Sequence, residues 1–158
     1  MADFTHLDEA GRVRMVDVGG KEETKRVAVA GGTVKMNAGT LEKIIQNTGK
    51  KGNVFETARI AGVMAAKKTS DLIPMCHPLN ITHIRVDFSP DTENNIINIE
   101  AEASLKGRTG IEMEALTAVA VAALTIYDMC KSYDRTMQIS NIRLISKSGG
   151  KSGTFVAE

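Results

Sequence analysis

The chain has 158 residues, of which 42% are hydrophobic and 25% are charged, and its formal net charge is +1. This length and balance predict one globular domain spanning residues 1–158, and the near-neutral charge disfavours a dedicated nucleic-acid-binding protein. Two cysteines, Cys76 and Cys130, are too few for a disulfide scaffold or a cysteine-only zinc site. We therefore expect no metal site and a reducing, cytoplasmic compartment.

The N-terminal region is polar and has no clear hydrophobic period. Residues 1–25 therefore predict a loop-like arm, and the segment from Met1 to Leu7 lacks the apolar core of a signal peptide. The longest apolar stretch of the chain, Ala115–Tyr127, is too short to span a bilayer, so we expect no membrane association.

The first half of the chain predicts one strand, two helices and a loop. The strand covers Arg26–Met36, and a glycine pair interrupts it with a bulge or bend. Helical spacing of apolar residues predicts a short helix over Thr40–Asn47 and a longer one over Val54–Lys68. Two prolines exclude regular helix from Ser70–Asn80, which is predicted to be a fixed loop.

A β-hairpin is predicted in the middle of the chain. Apolar and polar residues alternate over Thr82–Phe88 and again over Ile97–Leu105, and turn residues occupy Ser89–Asn95 between them. One face of this hairpin is apolar. The other face carries charged side chains that contact either solvent or a second subunit: His83, Arg85, Asp87, Glu100 and Glu102.

A long helix and a last strand complete the pattern. The helix is predicted over Ile111–Tyr133 and the strand over Gln138–Ile145, and residues 148–158, rich in Gly, Lys and Ser, predict a flexible tail. The resulting order is the ferredoxin-like βαββαβ arrangement of the α+β class, an antiparallel sheet with helices on one face. Between Ala115 and Ile126 the helix is apolar nearly all round, so we infer an oligomer that uses it at an interface.

Asp128 and Lys131 are the first candidates for chemistry. They lie at spacing i, i+3 near the end of the long helix, on one face. They form either a surface ion pair, which contributes under about 1 kcal/mol to stability, or a functional pair. Because the preceding turns are apolar and the helix dipole is unfavourable here, we expect Asp128 to be partly desolvated, with a shifted pKa.

Two further segments carry reactive side chains. The loop Leu72–Leu79 holds Cys76 and His77 between two prolines, which suits a pre-organised binding loop, although a buried structural Cys and a hydrogen-bonded His are the alternative. At the start of the long helix, Thr109 and Glu112 match a capping box, which would explain Glu112 structurally. Glu114 points to a different side of the helix and has no such explanation.

Basic residues are scattered along the chain, and most lysines in proteins are solvated. The tail Lys147–Ser152 lacks the first glycine and the following helix of a P-loop, but it can form a flexible anion-binding flap. The scattered residues are Lys21, Arg26, Lys50, Lys51, Lys67, Lys68, Lys147 and Lys151.

Six segments of the chain resemble motifs of the MoaC family, in the order in which that family has them. The match extends from about Met15 to Gly153, and several motifs in register are far more specific than one short pattern. The segments are Met15–Val18, Gly52–Gly62, Asp71–Leu79, Gly110–Thr117, Leu124–Lys131 and Lys147–Gly153. Gly19 departs from the pattern, since the family usually has serine after this first motif.

The resemblance implies an enzyme of molybdenum cofactor biosynthesis. Such enzymes are lyases that convert 3′,8-cyclo-7,8-dihydro-GTP to cyclic pyranopterin monophosphate with loss of pyrophosphate. The resemblance also implies a ferredoxin-like hexamer, a trimer of dimers with active sites at the dimer interface. These proton-transfer and hydrolytic steps need no redox cofactor, although Mg²⁺ could enter with the substrate triphosphate.

The resemblance also assigns residues. The position of the family's catalytic aspartate is Asp128, and we pair it with Lys131 as a coupled acid–base pair. Substrate-binding positions match Met75, Cys76, His77, Met113 and Glu114. Further active-site positions match Lys51, Lys67, Glu112 and Lys131. We expect His77 and Glu114 to orient the ring system and to shuttle protons. Lys51 and Lys67 would hold the triphosphate, and the tail Lys147–Lys151 could join them.

The spacing on the long helix favours a site between two subunits. Glu114 and Asp128 are separated by about 21 Å along a helix with a rise of 1.5 Å per residue. One small substrate cannot readily contact both within one chain, so we expect antiparallel helices of two subunits to bring them together. The alternative is a non-catalytic nucleotide- or RNA-binding module on the same fold. That module would need exposed sheet aromatics, and only 4% of the residues are aromatic.

Overall fold

The computed structural model describes residues 6–158, so the first five residues of the predicted N-terminal arm lie outside the described part of the chain. Five strands and four helices follow one another from Thr24 onward. In chain order they are β1 Thr24–Lys35, α1 Ala38–Ile45, α2 Val54–Lys67, α3 Thr69–Leu72, β2 His83–Asp91, β3 Ile96–Gly107, α4 Glu112–Cys130, β4 Gln138–Ser148 and β5 Phe155–Val156.

The strands form one antiparallel sheet in the order β2-β3-β1-β4-β5. The first four strands in this order reproduce the ferredoxin-like arrangement, and α4 packs on β1, β3 and β4 with α2 beside it. The predicted α+β class and its antiparallel sheet with helices on one face are therefore confirmed. Strand β1 is central because both β3 and β4 pair with it along most of its length.

The alternation of apolar and polar residues positions the core as predicted. On β3 the apolar set from Ile97 to Leu105 is buried beneath the helices, whereas the intervening polar residues face away from them. On the opposite, open face of the sheet, Arg85 pairs with Asp87 and with Glu100, whose Oε1 lies 3.4 Å from its Nη2. The charged hairpin face is thus a network of ion pairs on an exposed surface.

The predicted interruption at Gly31 and Gly32 is present as register shifts between β1 and β4. A Cβ atom added to Gly32 would lie 2.7 Å from Val119 Cγ1 of α4 and 3.2 Å from Ile142 Cγ1. Both distances are shorter than ordinary contacts, so glycine here is required for the helix to approach the central strand.

Several boundaries differ from the sequence-based predictions, among them the end of β4, which extends three residues further, to Ser148. The loop predicted over Ser70–Asn80 begins with the last turn of α3, and the helix stops because Ile73 precedes a proline and is extended. Strand β2 continues through Pro90, which an edge strand tolerates because the N–H that proline lacks is not needed on the side that faces solvent. Helix α4 ends at Cys130, three residues early. The tail contains β5, a strand too short to be predicted.

Helix α4 is long and apolar enough to cross a membrane by length and composition alone, which differs from the expectation for Ala115–Tyr127. More than half of its apolar window is buried inside the fold, as is common for the core helix of a globular domain. The remaining surface includes Leu124, which is 58% exposed. One chain therefore covers most of this helix but leaves an apolar strip uncovered.

We predict that Gly32→Ala lowers the free energy of unfolding by about 1–3 kcal/mol, because its Cβ would force Val119 and Ile142 apart. The matched control is Gly39→Ala in α1, where an added Cβ meets no atom within 4 Å. That variant should be neutral or more stable by up to about 1 kcal/mol. Urea denaturation at one fixed protomer concentration measures both, and equal effects of the two substitutions would contradict the close approach.

Candidate active site

Nine of the ten predicted site residues form two clusters at opposite ends of α4, and Lys67 belongs to neither. Helix α2 runs antiparallel to α4, since Val54 shares a small cavity with Met129 and Cys130, whereas Gly62 contacts Ala118. The Lys51 side of α2 is therefore near the C-terminal end of α4. The C-terminal end of α2, with Lys67, is nearer the end of α4 that carries Glu114.

The first cluster lines a cavity of about 290 Å³, which we call the His77 pocket. It lies between the proline-containing loop, the first turn of α4 and the N-terminal arm, from which Val16 and Val18 contribute. Six predicted site residues line it: Met75, Cys76, His77, Glu112, Met113 and Glu114. The structure therefore brings the proline-containing loop and the start of α4 together, although they are far apart in the sequence.

Glu114 is the most strongly perturbed acid of the pocket. Its residue surface is only 3% exposed. The pKa of its carboxyl is raised from 4.5 to about 7, mainly by burial and to a smaller extent by the charge of Glu112, against the lowering effect of a hydrogen bond from its own backbone. A carboxyl with this pKa exchanges a proton near neutral pH, which suits it to general acid–base chemistry.

His77 is fixed by a hydrogen bond between its Nε2 and the carbonyl oxygen of Val16, 2.7 Å away. Because a carbonyl only accepts hydrogen bonds, Nε2 carries a hydrogen and donates it. In the neutral imidazole the lone pair is then on Nδ1, which can accept a proton or a hydrogen bond. The same bond ties the N-terminal arm to the pocket.

Neither cysteine has the environment of a nucleophile. Burial, with the nearby charge of Glu114, raises the pKa of the Cys76 thiol above its ordinary value. Burial also raises the pKa of Cys130, to about 11. Both are free thiols. Among residues 6–158, no group of three or more His, Cys, Asp or Glu side chains is arranged as a metal site.

A second cavity of about 780 Å³, which we call the basic pocket, adjoins the first. The two cavities share Lys21, Thr109, Gly110 and Glu112 in their linings. Five basic side chains line the basic pocket: Lys21, Arg26, Arg108, Lys147 and Lys151. Such a concentration of positive charge is suited to a polyphosphate.

Sequence reasoning allowed the tail with Lys147 and Lys151 to bind an anion, but it missed this grouping, because it treated Lys21 and Arg26 as scattered and did not single out Arg108. Strand pairing explains their convergence. Thr24 pairs with Gly107 and Val27 pairs with Ser148, so the start of β1 lies beside the ends of β3 and β4. The sequence feature that could have indicated this pocket is the position of basic residues near the ends of predicted strands.

The capping box predicted for Thr109 and Glu112 is wrong. The residue at the N-cap of α4 is Ile111, and no side chain caps the helix there. The Glu112 carboxylate instead lies 3.0 Å from Lys147 Nζ. A side chain on Gly110 would collide with this carboxylate. Glu112 is therefore at the boundary of the two pockets, available to a ligand of either.

The second cluster is at the other end of α4. Lys131 Nζ lies 2.7 Å from Asp128 Oδ1, and Lys51 Nζ lies 3.7 Å from Oδ2 and donates to the backbone oxygen of Asp128 at 3.0 Å. The hydrogen bond and charge of Lys131, with the charge of Lys51, lower the pKa of Asp128. Its side chain is 61% exposed. The expected desolvation is therefore wrong for one chain, because this residue faces outward from α4.

The loop that carries Lys51 is itself fixed. The backbone N–H of Lys50 donates to the hydroxyl of Tyr133 at 2.8 Å, and Gly52 adopts a φ of 87° that favours glycine. Tyr133 is a supporting residue that sequence reasoning missed. Lys51 and Lys67, which we expected to hold the triphosphate jointly, are at opposite ends of α2. Lys67 makes no ion pair with any other residue from 6 to 158.

Comparisons with known proteins were made against families and against individual sequences. A model of the MoaC family matches residues 15–150. A cyclic pyranopterin monophosphate synthase of Desulforapulum autotrophicum is 72% identical over 158 residues, which is 100% of this chain and 97% of that protein. A protein of the same name from Roseiflexus sp. strain RS-1 is 60% identical over 99% of both chains. One from Thermoanaerobacter sp. strain X514 is 58% identical, also over 99% of both.

We predict that Glu114→Gln stabilises the protein at pH 8 but not at pH 4. The folded carboxyl has a pKa of about 7 and the unfolded one about 4.5, so wild-type stability falls as pH rises between these values. The amide has no charge to bury, and its advantage should reach about 3 kcal/mol at pH 8. Urea denaturation at both pH values measures it.

The matched control is Glu93→Gln in the exposed turn between β2 and β3, which should change stability by under about 0.5 kcal/mol at either pH. If Glu114→Gln gave the same stability difference at pH 4 and pH 8, a buried, protonatable Glu114 would be excluded.

Proposed function

Because the chain belongs to the MoaC family, we propose that it is a cyclic pyranopterin monophosphate synthase. This enzyme is a lyase of molybdenum cofactor biosynthesis. It converts 3′,8-cyclo-7,8-dihydro-GTP into cyclic pyranopterin monophosphate and releases pyrophosphate. The observation that carries the proposal is the His77 pocket, with its protonatable groups, opening into a pocket lined by five basic residues. These two environments match the ring system and the triphosphate of one substrate.

The ring system occupies the His77 pocket. Apolar side chains of Met75, Met113 and Val16 line this cavity and suit the faces of a fused ring. His77 Nδ1 and the Glu114 carboxyl supply groups that accept or donate hydrogen bonds to its polar edge. These contacts orient the ring and exclude water from the reacting atoms.

The triphosphate occupies the basic pocket. Positive side chains there neutralise the charge that develops on pyrophosphate as the cyclic phosphate forms. Two acidic residues, Glu22 and Glu112, also line the cavity, but the cations are in excess. The chemistry requires proton transfer and hydrolysis and no redox cofactor, and Mg²⁺ enters with the triphosphate.

Proton transfers are divided between two kinds of group. Opening the imidazole part of the guanine and closing the pyrazine ring both move protons on nitrogen and carbon. Glu114, with a pKa of about 7, donates and accepts protons near neutral pH. Asp128 and Lys131, hydrogen-bonded at 2.7 Å, act as the coupled pair, and Lys51 holds the same carboxylate.

The complete site requires two subunits. Glu114 and Asp128 are separated by about 21 Å along α4, which is too far for one small substrate. An exposed apolar strip on the helix layer supports a second copy packing there: Ile60 is 63%, Met64 46% and Leu124 58% exposed. Two copies with antiparallel α4 helices bring Asp128 of one to the His77 pocket of the other, and three such dimers form the hexamer.

Burial at this interface would change the Asp128 cluster. In one chain Asp128 is exposed and its pKa is lowered. A partner subunit removes water from the cluster, and desolvation opposes the charged form of Asp128. The Asp128 carboxyl, hydrogen-bonded to Lys131, then exchanges a proton more readily than it does in one exposed chain.

The alternative function, a non-catalytic nucleotide- or RNA-binding module, has weaker support. Such modules stack bases on sheet aromatics. The open sheet face here carries Arg85, Asp87 and Glu100 in ion pairs, and Phe88 instead stacks on Phe55, with 5.2 Å between ring centroids. We place the enzyme in the cytoplasm, where two unpaired cysteines remain reduced.

We predict that Asp128→Ala lowers kcat by about 100-fold or more, because it removes one member of the acid–base pair. The matched control is Glu56→Ala, which removes another exposed i, i+3 pair, with Arg59, and should keep its activity. Formation of the cyclic pyranopterin and of pyrophosphate from 3′,8-cyclo-7,8-dihydro-GTP is assayed, with oligomeric state checked. A wild type that binds this nucleotide without converting it would refute the proposed activity.

We predict that inactive Asp128→Ala and Glu114→Gln subunits restore activity when they are co-expressed with different affinity tags. A mixed dimer has one doubly altered site and one intact site, so random pairing gives about a quarter of wild-type activity. Each variant alone remains inactive. If mixed oligomers, isolated through both tags, stay inactive, each active site belongs to one chain.

A further inference from the structure

The C-terminal segment returns along the outer edge of β4. Ser146 pairs with Val156 and Lys147 pairs with Phe155. Beyond these pairs, the N–H of Ala157 donates to the carbonyl oxygen of Ile145 at 2.8 Å. This attachment lies past residue 150, where the match to the family ends.

The loop of residues 148–154, between β4 and β5, lies against the basic pocket. Gly149 and Gly150 have φ values of 97° and 77°. A side chain on Gly149 would collide with the carbonyl oxygen of Lys25, and one on Gly150 would collide with the Arg26 guanidinium. The two glycines therefore let the loop backbone lie directly on β1, where Arg26 lines the pocket.

The loop also holds the basic side chains of this pocket. Ser152 Oγ accepts a hydrogen bond from Lys147 Nζ at 3.0 Å, and Lys147 is paired on its other side with Glu112. Gly150, Lys151 and Ser152 are part of the pocket lining. Arg26 Nε is buried and has no hydrogen-bond partner among the described residues. A phosphate oxygen bound beside it would supply the missing acceptor.

We propose that β5 is a clasp that holds the loop of residues 148–154 on the basic pocket, which makes Phe155–Ala157 positioning residues for the phosphate groups of the ligand. The inference rests on the proposed function, since it assigns the basic pocket to a polyphosphate. Two strand pairs and one further hydrogen bond close the loop at its C-terminal end. Without them the loop gains conformational freedom, and the ligand must order it again on binding.

The test uses inorganic tripolyphosphate as the probe, with affinity measured by isothermal titration calorimetry. One variant ends after Thr154. A second, Ala157→Pro, removes only the N–H that donates to Ile145, whereas its matched control, Ala157→Val, keeps that donor. Both clasp variants should bind tripolyphosphate about tenfold more weakly than wild type, and the control should bind within about twofold of it.

The conversion assay measures KM and kcat separately, and this distinguishes a positioning role from a merely structural one. The clasp variants should raise KM for the cyclic nucleotide about tenfold with kcat retained, because positioning of the phosphates is lost while the acid–base groups are intact. Thermal denaturation confirms that the variants are folded.

The outcomes distinguish the clasp from the function on which it rests. If wild type bound tripolyphosphate and the truncated chain bound it equally well, the clasp would be refuted and the basic pocket retained. If wild type itself did not bind tripolyphosphate, the assignment of the basic pocket would fail, and the clasp with it.

Discussion

The contact between α4 and the central strand fixes the separation between the two acids of the candidate site, Glu114 and Asp128. Gly32 gives Val119 room on the sheet side, and Gly62 of α2 lies against Ala118, so small residues surround the helix on two sides. A helix held this closely behaves as a rigid rod. Its ends are separated by a distance that no side-chain motion removes, and the chain places acids at both ends. This rigidity supports the proposed second subunit, since flexible loops could have closed the gap within one chain.

The surroundings of two acids on one helix shift their pKa values in opposite directions. Glu114 lies in the first turn, where the helix dipole favours a carboxylate by about 0.3–1 kcal/mol. Burial nevertheless raises its pKa to about 7, so desolvation outweighs the dipole. Asp128 lies near the C-terminal end, where the dipole disfavours a carboxylate, yet hydrogen bonding to Lys131 and the charge of Lys51 lower its pKa. Divergent pKa values of this kind are typical of paired acid and base roles.

The sequence predicts what depends on local periodicity. Alternation identified the inner face of β3, and the apolar run of α4 identified the core helix, so the ferredoxin-like order followed. The family resemblance supplied the site residues, and helix spacing predicted the separation of Glu114 from Asp128, but neither predicted that Lys51 and Lys67 lie at opposite ends of α2. The basic pocket escaped prediction because Arg26, Arg108 and Lys147 meet only through the register of three strands. The capping box failed for a related reason: Lys147, 35 positions away, competes successfully for Glu112.

The charges at the two ends of α4 favour antiparallel pairing of two copies. The N-terminal end carries Glu112 and Glu114, whereas the C-terminal cluster has two lysines around one aspartate and is net positive. Burying that cluster costs several kcal/mol per ion unless negative charge accompanies it. In the proposed dimer, an antiparallel partner would bring Glu114 and the bound anionic substrate beside this cluster. Parallel pairing would instead place two net-positive clusters together, so these charges support the antiparallel orientation of the proposed dimer.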